Sequence, residues 1–340
     1  MKTYNVAVVG ATGAVGEVIL EILEERGFPV GKLYFVASSR SKGMELEFAG
    51  KQGVVEDIEE FDFSKVEIAF FSAGSKVSKE YATKAAETGC VVIDNTSCFR
   101  MDKDVPLVVP EVNPEAIADY TKSNIIANPN CSTIQMVVAL KPIYDEVGIE
   151  RVNVATYQSV SGTGKSAIEE LMEQTTAIFN SQEIKAEVYP KPIAFNILPQ
   201  IDSFDENGYT FEEMKIINET KKIFNDDSIL VNATAARVPV IYGHSEAVHI
   251  ETRDKISADY VRGILSNAPG IAVMDARFDG SYPTAFDDAM GNDEVYVGRI
   301  RDDLSHPRGI NMWVVSDNIR KGAALNSIQI AEMLIEGYLA

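Results

Sequence analysis

Residues 6–17 read VAVVGATGAVGE. An apolar run gives way to glycines at positions 10, 13 and 16, and the helical pattern EVILEILEER begins at once. A continuous apolar run bounded by glycine suits a strand buried on both faces. Strand, glycine turn and helix in that order open a βαβ unit. Gly10, Gly13 and Gly16 allow a tight turn and let the backbone approach a pyrophosphate, whose charge then meets the helix N-terminus. The spacing is GxxGxxG rather than GxGxxG, so the position between strand and helix carries the reading. The next strand, LYFVAS, ends in Ser38, Ser39 and Arg40 with no acid. Hydroxyls and a guanidinium suit a 2′-phosphate, which makes NADP the expected cofactor. The alternative is that Arg40 is only a loop cation.

Outward from this turn the strand-and-helix alternation continues. Short apolar runs at VEIAFFSA, CVVIDN, PLVVPEV and NIIAN read as further strands, with helical stretches such as SKEYATKAAETG between them. The pattern predicts a parallel α/β sheet. After residue 131 it changes. Helices are expected at STIQMVVALKPIYDEVG, 165–180 and 210–224, with a proline-containing loop at 190–199. Alternating strands follow at SILVNATAARVPV, HSEAVHIETR, EVYVGRIRDD and GINMWVVSDN, as in an open mixed or antiparallel sheet with helices on one face. The fold class is therefore α/β: an N-terminal Rossmann-like NADP-binding domain, residues 1–130 with a returning C-terminal helix at 320–340, and an α+β catalytic and dimerisation domain with a large mixed sheet, residues 131–319.

Composition narrows the function. A formal charge of -20 over 340 residues argues against nucleic acid, since phosphate contacts require a basic surface. No apolar run reaches the ~18 residues of a membrane span, and the opening lacks a signal-peptide pattern, so the expected location is cytoplasmic. Three cysteines and three histidines, without CxxC or HExxH spacing, predict neither a disulfide framework nor a metal site.

Cys131, in ANPNCST, stands at the start of a predicted helix. The helix dipole and first-turn N–H groups favour thiolate there and could hold an oxyanion. The alternative is a buried structural thiol, the reading that fits Cys90 and Cys98 better. The base would be one of His244, His249 and His306; His244, beside a glycine at a strand start, is preferred. Arg100 closes DNTSCFR at the ligand-collecting end of the first sheet, and Arg237 lies seven residues before His244. Glu212 and Lys215 share a helical face, by default a solvated one.

The segments VGATGAVG, SSR, DNTSCFR, VVPEVN, ANPNCST, YQSVSGTG, EEMK, ARVPV, GHSEA and DNIRKGAALN stand in the order found in one family. Over some 320 residues the chain resembles aspartate-β-semialdehyde dehydrogenase. The resemblance implies reductive dephosphorylation of L-aspartyl-β-phosphate to L-aspartate-β-semialdehyde with NADPH, through a cysteine thioacyl intermediate, in lysine, threonine and methionine biosynthesis. It implies Cys131 as nucleophile, His244 as acid/base and Gln158 as the group orienting substrate. Arg237 would take the α-carboxylate and Glu212 the amino group. Arg100 and Lys215 would bind phosphate, with Asn130 in the same pocket. The cofactor would meet Gly10, Thr12, Gly13, Ala14, Val15, Gly16, Ser38, Ser39 and Arg40, and also Ser161, Gly162 and Asn318. The expected assembly is a homodimer or a tetramer. The rivals are N-acetyl-γ-glutamyl-phosphate reductase, whose substrate has no free amine for Glu212, and a non-enzymatic NADP-binding regulator.

Overall fold

The structure is a computed structural model that describes residues 2–339. Residues 1 and 340, the outer limits of the expected first domain, lie outside the described residues. Two compact units emerge: one from residues up to Asn130 and from Ala323 onward, the other from Cys131–Gly322. In chain order the helices are α1 (Ala14–Glu25), α2 (Ser75–Glu87), α3 (Cys131–Val147), α4 (Lys165–Phe179), α5 (Phe211–Phe224), α6 (Ala258–Leu265) and α7 (Leu325–Gly337).

The first unit holds β1 (Tyr4–Val9), β2 (Val30–Ala37), a β3–β4 hairpin (Glu45–Phe48 and Lys51–Val54), β5 (Glu56–Asp57), β6 (Ile68–Phe71), β7 (Val91–Asp94) and β8 (Ile125–Ala127). Apart from the hairpin these form one sheet in the order β5-β2-β1-β6-β7-β8, with every pairing parallel. Its strands are apolar on both faces because helices cover both. Val6, Val8, Phe70 and Ile93 pack with Ile19 and Leu23 of α1 and with Ile328 and Leu334 of α7. One expected strand is missing. In PLVVPEV only Leu107 pairs, through a single bridge to Ala127. Pro106 and Pro110 flank the run, and proline cannot donate to a ladder.

β1 lies between β2 and β6, so the chain order reverses at its C-terminal end, where such sheets collect ligands. Gly10 sits there with φ +91, and a Cβ on it would meet Ser72 Oγ at 2.9 Å and the Ala73 nitrogen at 3.0 Å. A Cβ on Gly16 would be driven into the Gly10 carbonyl. Both glycines are therefore required by contact, and Gly10 by conformation as well.

The second unit holds β9 (Ile149–Gln158), β10 (Leu230–Arg237), β11 (His244–Thr252), β12 (Ile271–Val273), β13 (Val295–Asp302) and β14 (Gly309–Ser316), in the order β10-β9-β11-β14-β13-β12. The sheet is mixed: β9 and β10 are parallel, as are β12 and β13, and the other pairs are antiparallel. Alternate residues such as Val152, Val154, Val248, Ile250, Met312 and Val314 are buried. Helices α3, α5 and α6 pack on the sheet. Among the described residues no helix is long and apolar enough to cross a membrane.

The glycine contacts give a stability test. Gly16→Ala is expected to cost about 1–3 kcal/mol through overpacking. Gly263→Ala, inside α6 where nothing lies within 4 Å of the added methyl, should be neutral or stabilise by up to about 1 kcal/mol. Thermal unfolding followed by circular dichroism measures both. Equal melting temperatures for G16A and the parent chain would contradict the crowding argument.

Candidate active site

Beside the β1–α1 turn lies a cavity of about 490 Å³. Gly10, Thr12 and Gly13 line one side, Ser38, Arg40 and Ser41 another, and Ser72 and Ala73 a third. Gly13 is the N-cap of α1 and offers no side chain to the first-turn N–H groups. Those donors and the helix dipole suit a pyrophosphate. Arg40 is exposed and makes no ion pair among the described residues. Among the described residues no carboxylate lines the cavity, and a guanidinium with three serines does. This donor set fits a 2′-phosphate. Ser39 begins the short 3-10 turn Ser39–Ser41 that follows β2, and Ala14, Val15 and Gly16 form the first turn of α1.

In the second unit, strand direction gathers the candidate side chains at one sheet end. β9 and β10 run parallel, so Gln158 and Arg237, register partners, close both strands. β11 runs the other way and starts there with His244. β14 is antiparallel to β11, and its last residue, Ser316, faces His244. Register partners share a face, so these groups form one polar row at the end of the sheet.

His244 is fully buried. Its Nδ1 accepts the Ser159 backbone N–H at 3.1 Å and lies 3.0 Å from Ser159 Oγ. A backbone N–H can only donate, so the neutral ring carries its proton on Nε2. Nε2 has no partner among the described residues. Burial, with Arg237 nearby, drives the imidazole pKa down to about 3. Asn318 completes the support: its Oδ1 accepts from Ser159 Oγ, Ser161 Oγ and the Gly243 nitrogen at 3.0, 3.1 and 2.9 Å. Within this unit, then, Ser161 and Asn318 hold the histidine loop. Gly162 abuts the same ring; a Cβ there would lie 3.3 Å from His244 Nε2 and 3.2 Å from Arg237 Nη1. The other histidines are elsewhere: His249 pairs with Asp303 at 2.8 Å, and His306 Nδ1 accepts the Arg308 N–H at 3.4 Å.

Arg237 is buried, donates from Nη1 to the Ser159 carbonyl at 2.7 Å, and leaves Nε without a partner among the described residues. Gln158 donates from Nε2 to Glu212 Oε1 at 3.0 Å. Glu212 is buried, which corrects the default expectation of a solvated Glu212–Lys215 face. The cause is the capping box of α5. Thr210 Oγ1 accepts the Glu213 N–H, Glu213 returns the bond, and Glu213 Oε1 also accepts the Ala235 N–H at 2.9 Å. This fixes the rotation of α5 and turns Glu212 toward Gln158. Lys215 donates to Glu212 at 3.1 Å and to Asp202 at 3.0 Å. Burial works against its charge, but both carboxylates outweigh it and raise its pKa.

Cys131 is the first residue of α3, partly buried. A Cβ on Gly322 would lie 2.8 Å from Cys131 Cβ. Only a glycine lets the turn after Asn318 pass so close to the thiol. Cys90 is a core thiol whose pKa burial pushes up to about 12, and burial also raises that of Cys98. In the first unit, Arg100 is buried and donates to the Asn128 and Asn95 carbonyls at 2.9 and 2.8 Å, bracing the ends of β7 and β8. Asn130 is buried at the end of that unit.

The sequence reading passes over Ser159, although it sets the histidine tautomer. The run RVNVATYQSVSG reads as one long strand containing both Ser159 and Ser161, and nothing local distinguishes the two hydroxyls; β9 in fact ends at Gln158. It also passes over Glu246, two positions beyond His244 and fully buried, whose carboxyl pKa burial raises well above the ordinary range.

Comparison with known proteins agrees with this geometry. The family description "Semialdehyde dehydrogenase, NAD binding domain" matches residues 5–120, and "Semialdehyde dehydrogenase, dimerisation domain" matches residues 140–321. The chain is 62% identical over 337 residues to the aspartate-semialdehyde dehydrogenase of Shewanella violacea, covering 99% of each. It is 62% identical over 338 residues to that of Legionella pneumophila, covering 99% of this chain and 97% of the relative. A crystal structure of aspartate semialdehyde dehydrogenase II from Vibrio cholerae, complexed with ASA, matches with TM-score 0.98 and 58% identity over 99% of this chain and 100% of that one. The Candida albicans enzyme, solved with NADP, matches with TM-score 0.76 and 27% identity over 98% and 99%. The chain belongs to the aspartate-semialdehyde dehydrogenase family of oxidoreductases.

Proposed function

We propose that the protein interconverts L-aspartyl-β-phosphate and L-aspartate-β-semialdehyde, with NADP as cofactor and Cys131 as the covalent nucleophile, in the biosynthesis of lysine, threonine and methionine. The observation that carries this reading is the polar row at the sheet end, which holds Arg237 and the buried neutral His244 and, through Gln158, the buried Glu212 of α5. An amino acid bearing a reactive carbonyl needs that set. Arg237 receives the α-carboxylate, for which a planar guanidinium is matched. Glu212 receives the α-ammonium, and Gln158, bonded to Glu212, orients the carbonyl beside the thiol. A buried acid in this position also favours the aspartate substrate over N-acetyl-γ-glutamyl phosphate, which has no free amine.

The proton chemistry follows from the His244 tautomer. Cys131 Sγ adds to the carbonyl carbon, forming a carbon–sulfur bond and an oxyanion. Nε2–H of His244 is the hydrogen-bond donor that stabilises this oxyanion; the neutral ring keeps its proton, since losing it would leave an imidazolate. The dipole of α3 favours thiolate at Cys131. At the acyl level, a phosphate oxygen attacks the thioester carbon and the Cys131 thiolate leaves. Arg100 and Lys215 are the cations assigned to phosphate, with Asn130 beside the nucleophile in the chain. The cofactor supplies hydride chemistry when bound; Gly10, Thr12, Gly13, Ser38, Ser39 and Arg40 would hold its phosphates, with Ser161, Gly162 and Asn318 toward its nicotinamide end. The match to a dimerisation domain supports a homodimer.

The direct assay follows NADP reduction with aspartate semialdehyde and phosphate. Cys131→Ala is expected to lose activity by about 10⁴-fold or more while its affinity for NADP stays within about twofold of the parent; turnover surviving in that variant would remove Cys131 as nucleophile. Arg40→Ala should weaken NADP binding roughly tenfold, as the loss of a charge-assisted contact predicts, and leave NAD binding unchanged. An equal effect on both cofactors would assign Arg40 to the loop alone.

A further prediction concerns pH. The folded-state pKa of His244 lies below the ordinary value of 6.5, so the unfolded chain binds its proton more tightly. Its contribution to stability is present above pH 6.5 and is lost as pH falls toward about 3. Denaturant titrations across that window should show stability declining with acid, and His244→Asn should show a shallower decline. Identical slopes would contradict a buried neutral imidazole.

A further inference from the structure

Residues 181–199, between α4 and α5, contain no helix or strand longer than a single bridge, yet the segment is fastened at defined points. Glu170 and Gln174 stand one turn apart on α4, both buried. The Glu170 carboxylate accepts the N–H groups of Glu187 and Val188, each at 2.6 Å, and that of Tyr189 at 3.4 Å. Gln174 donates to the Lys185 carbonyl at 2.7 Å and accepts the N–H groups of Ile193 and Ala194 at 2.9 and 3.1 Å. At its far end Leu198 exchanges two backbone hydrogen bonds, 2.8 and 2.9 Å, with Arg237. Backbone in a surface loop ordinarily meets its hydrogen bonds in water. Here two buried side chains hold it in place, so its conformation is specified from α4.

What this strap carries is Tyr189. Arg237 lies over its ring, 6.0 Å from guanidinium carbon to ring centroid. The Tyr189 hydroxyl is 2.9 Å from Thr163 Oγ1, one residue beyond the Gly162 that abuts His244. Ile193, Ala194 and Leu198 of the same strap are buried with Val160 and Leu171, and Tyr189 packs against that cluster. All guanidinium donors lie in its plane. The negative face of the ring attracts the guanidinium and so restricts where its remaining edge donors can meet a carboxylate. One edge donor, Nη1, is already held by the Ser159 carbonyl.

We propose that Tyr189 is a positioning residue for substrate recognition: its ring holds the Arg237 guanidinium in place for the α-carboxylate, and Glu170 and Gln174 hold the strap that presents it. This rests on the assignment of Arg237 to the carboxylate. The experiment compares Tyr189→Leu, Tyr189→Phe and Arg237→Ala with two aldehydes, aspartate semialdehyde and 3-aminopropanal, which lacks the carboxylate. Folding of each variant is checked by its melting temperature. Y189L should raise KM for aspartate semialdehyde roughly tenfold with kcat within about twofold, and leave KM for 3-aminopropanal unchanged. Y189F, which keeps the ring, should restore KM to within about threefold of the parent. If R237A leaves KM for aspartate semialdehyde unaltered, the Arg237 assignment fails. If R237A raises it while Y189L does not, or if Y189L raises KM equally for both aldehydes, the Tyr189 proposal fails while the Arg237 assignment stands.

Discussion

The second unit depends on one constraint, the register that ends β9, β10, β11 and β14 at the same sheet edge. Gln158 is locked beside Arg237, and His244 opposite Ser316, by backbone ladders. Farther in on the same faces Val154, Ala233, Val248 and Val314 are buried and apolar, with, among the described residues, only Thr156 and Glu246 as buried polar groups between. A slip of one residue in any strand would exchange the polar end group for a neighbour from the other face. The hydrophobic alternation that builds the core therefore also fixes the chemistry. It holds the side chains rigidly, because each is anchored by a strand rather than a loop.

The same row explains why the histidine is neutral. A buried imidazole beside a guanidinium is doubly discouraged from taking a proton, first by lost hydration and then by like charge. The Ser159 N–H then settles which nitrogen is protonated, and Asn318 holds Ser159 and the turn before His244 together. The outcome is an N–H donor available at pH 7 without a buried cation. Glu212 and Lys215 follow a different logic. Their charges offset one another, and the capping box of α5 turns the carboxylate inward.

Much of this was legible in the sequence. The GxxGxxG turn predicted the parallel sheet, because glycine spacing and strand-to-helix context are local signals. The same applies to Cys131 at the start of α3. His244 could be ranked above His249 and His306 but not separated from them, since burial and the Asp303 partner of His249 are tertiary facts. The Glu212–Lys215 pair reads as a solvated face by spacing alone; its burial comes from the rotation of α5 through Glu213, a long-range contact to β10. PLVVPEV reads as a strand by hydropathy, but its flanking prolines allow only one bridge. Tyr189 was invisible for a plainer reason. Its partner Arg237 lies far along the chain, and the loop that carries Tyr189 has no periodicity.

The most direct test of the mechanism is intact-protein mass spectrometry with peptide mapping, after mixing the enzyme with aspartate semialdehyde and NADP in the absence of phosphate. An aspartyl adduct on the peptide containing Cys131, discharged when phosphate is added, is the expected result. An adduct on Cys90 or Cys98, or NADPH formation in the first turnover with no thiol modified, would contradict it.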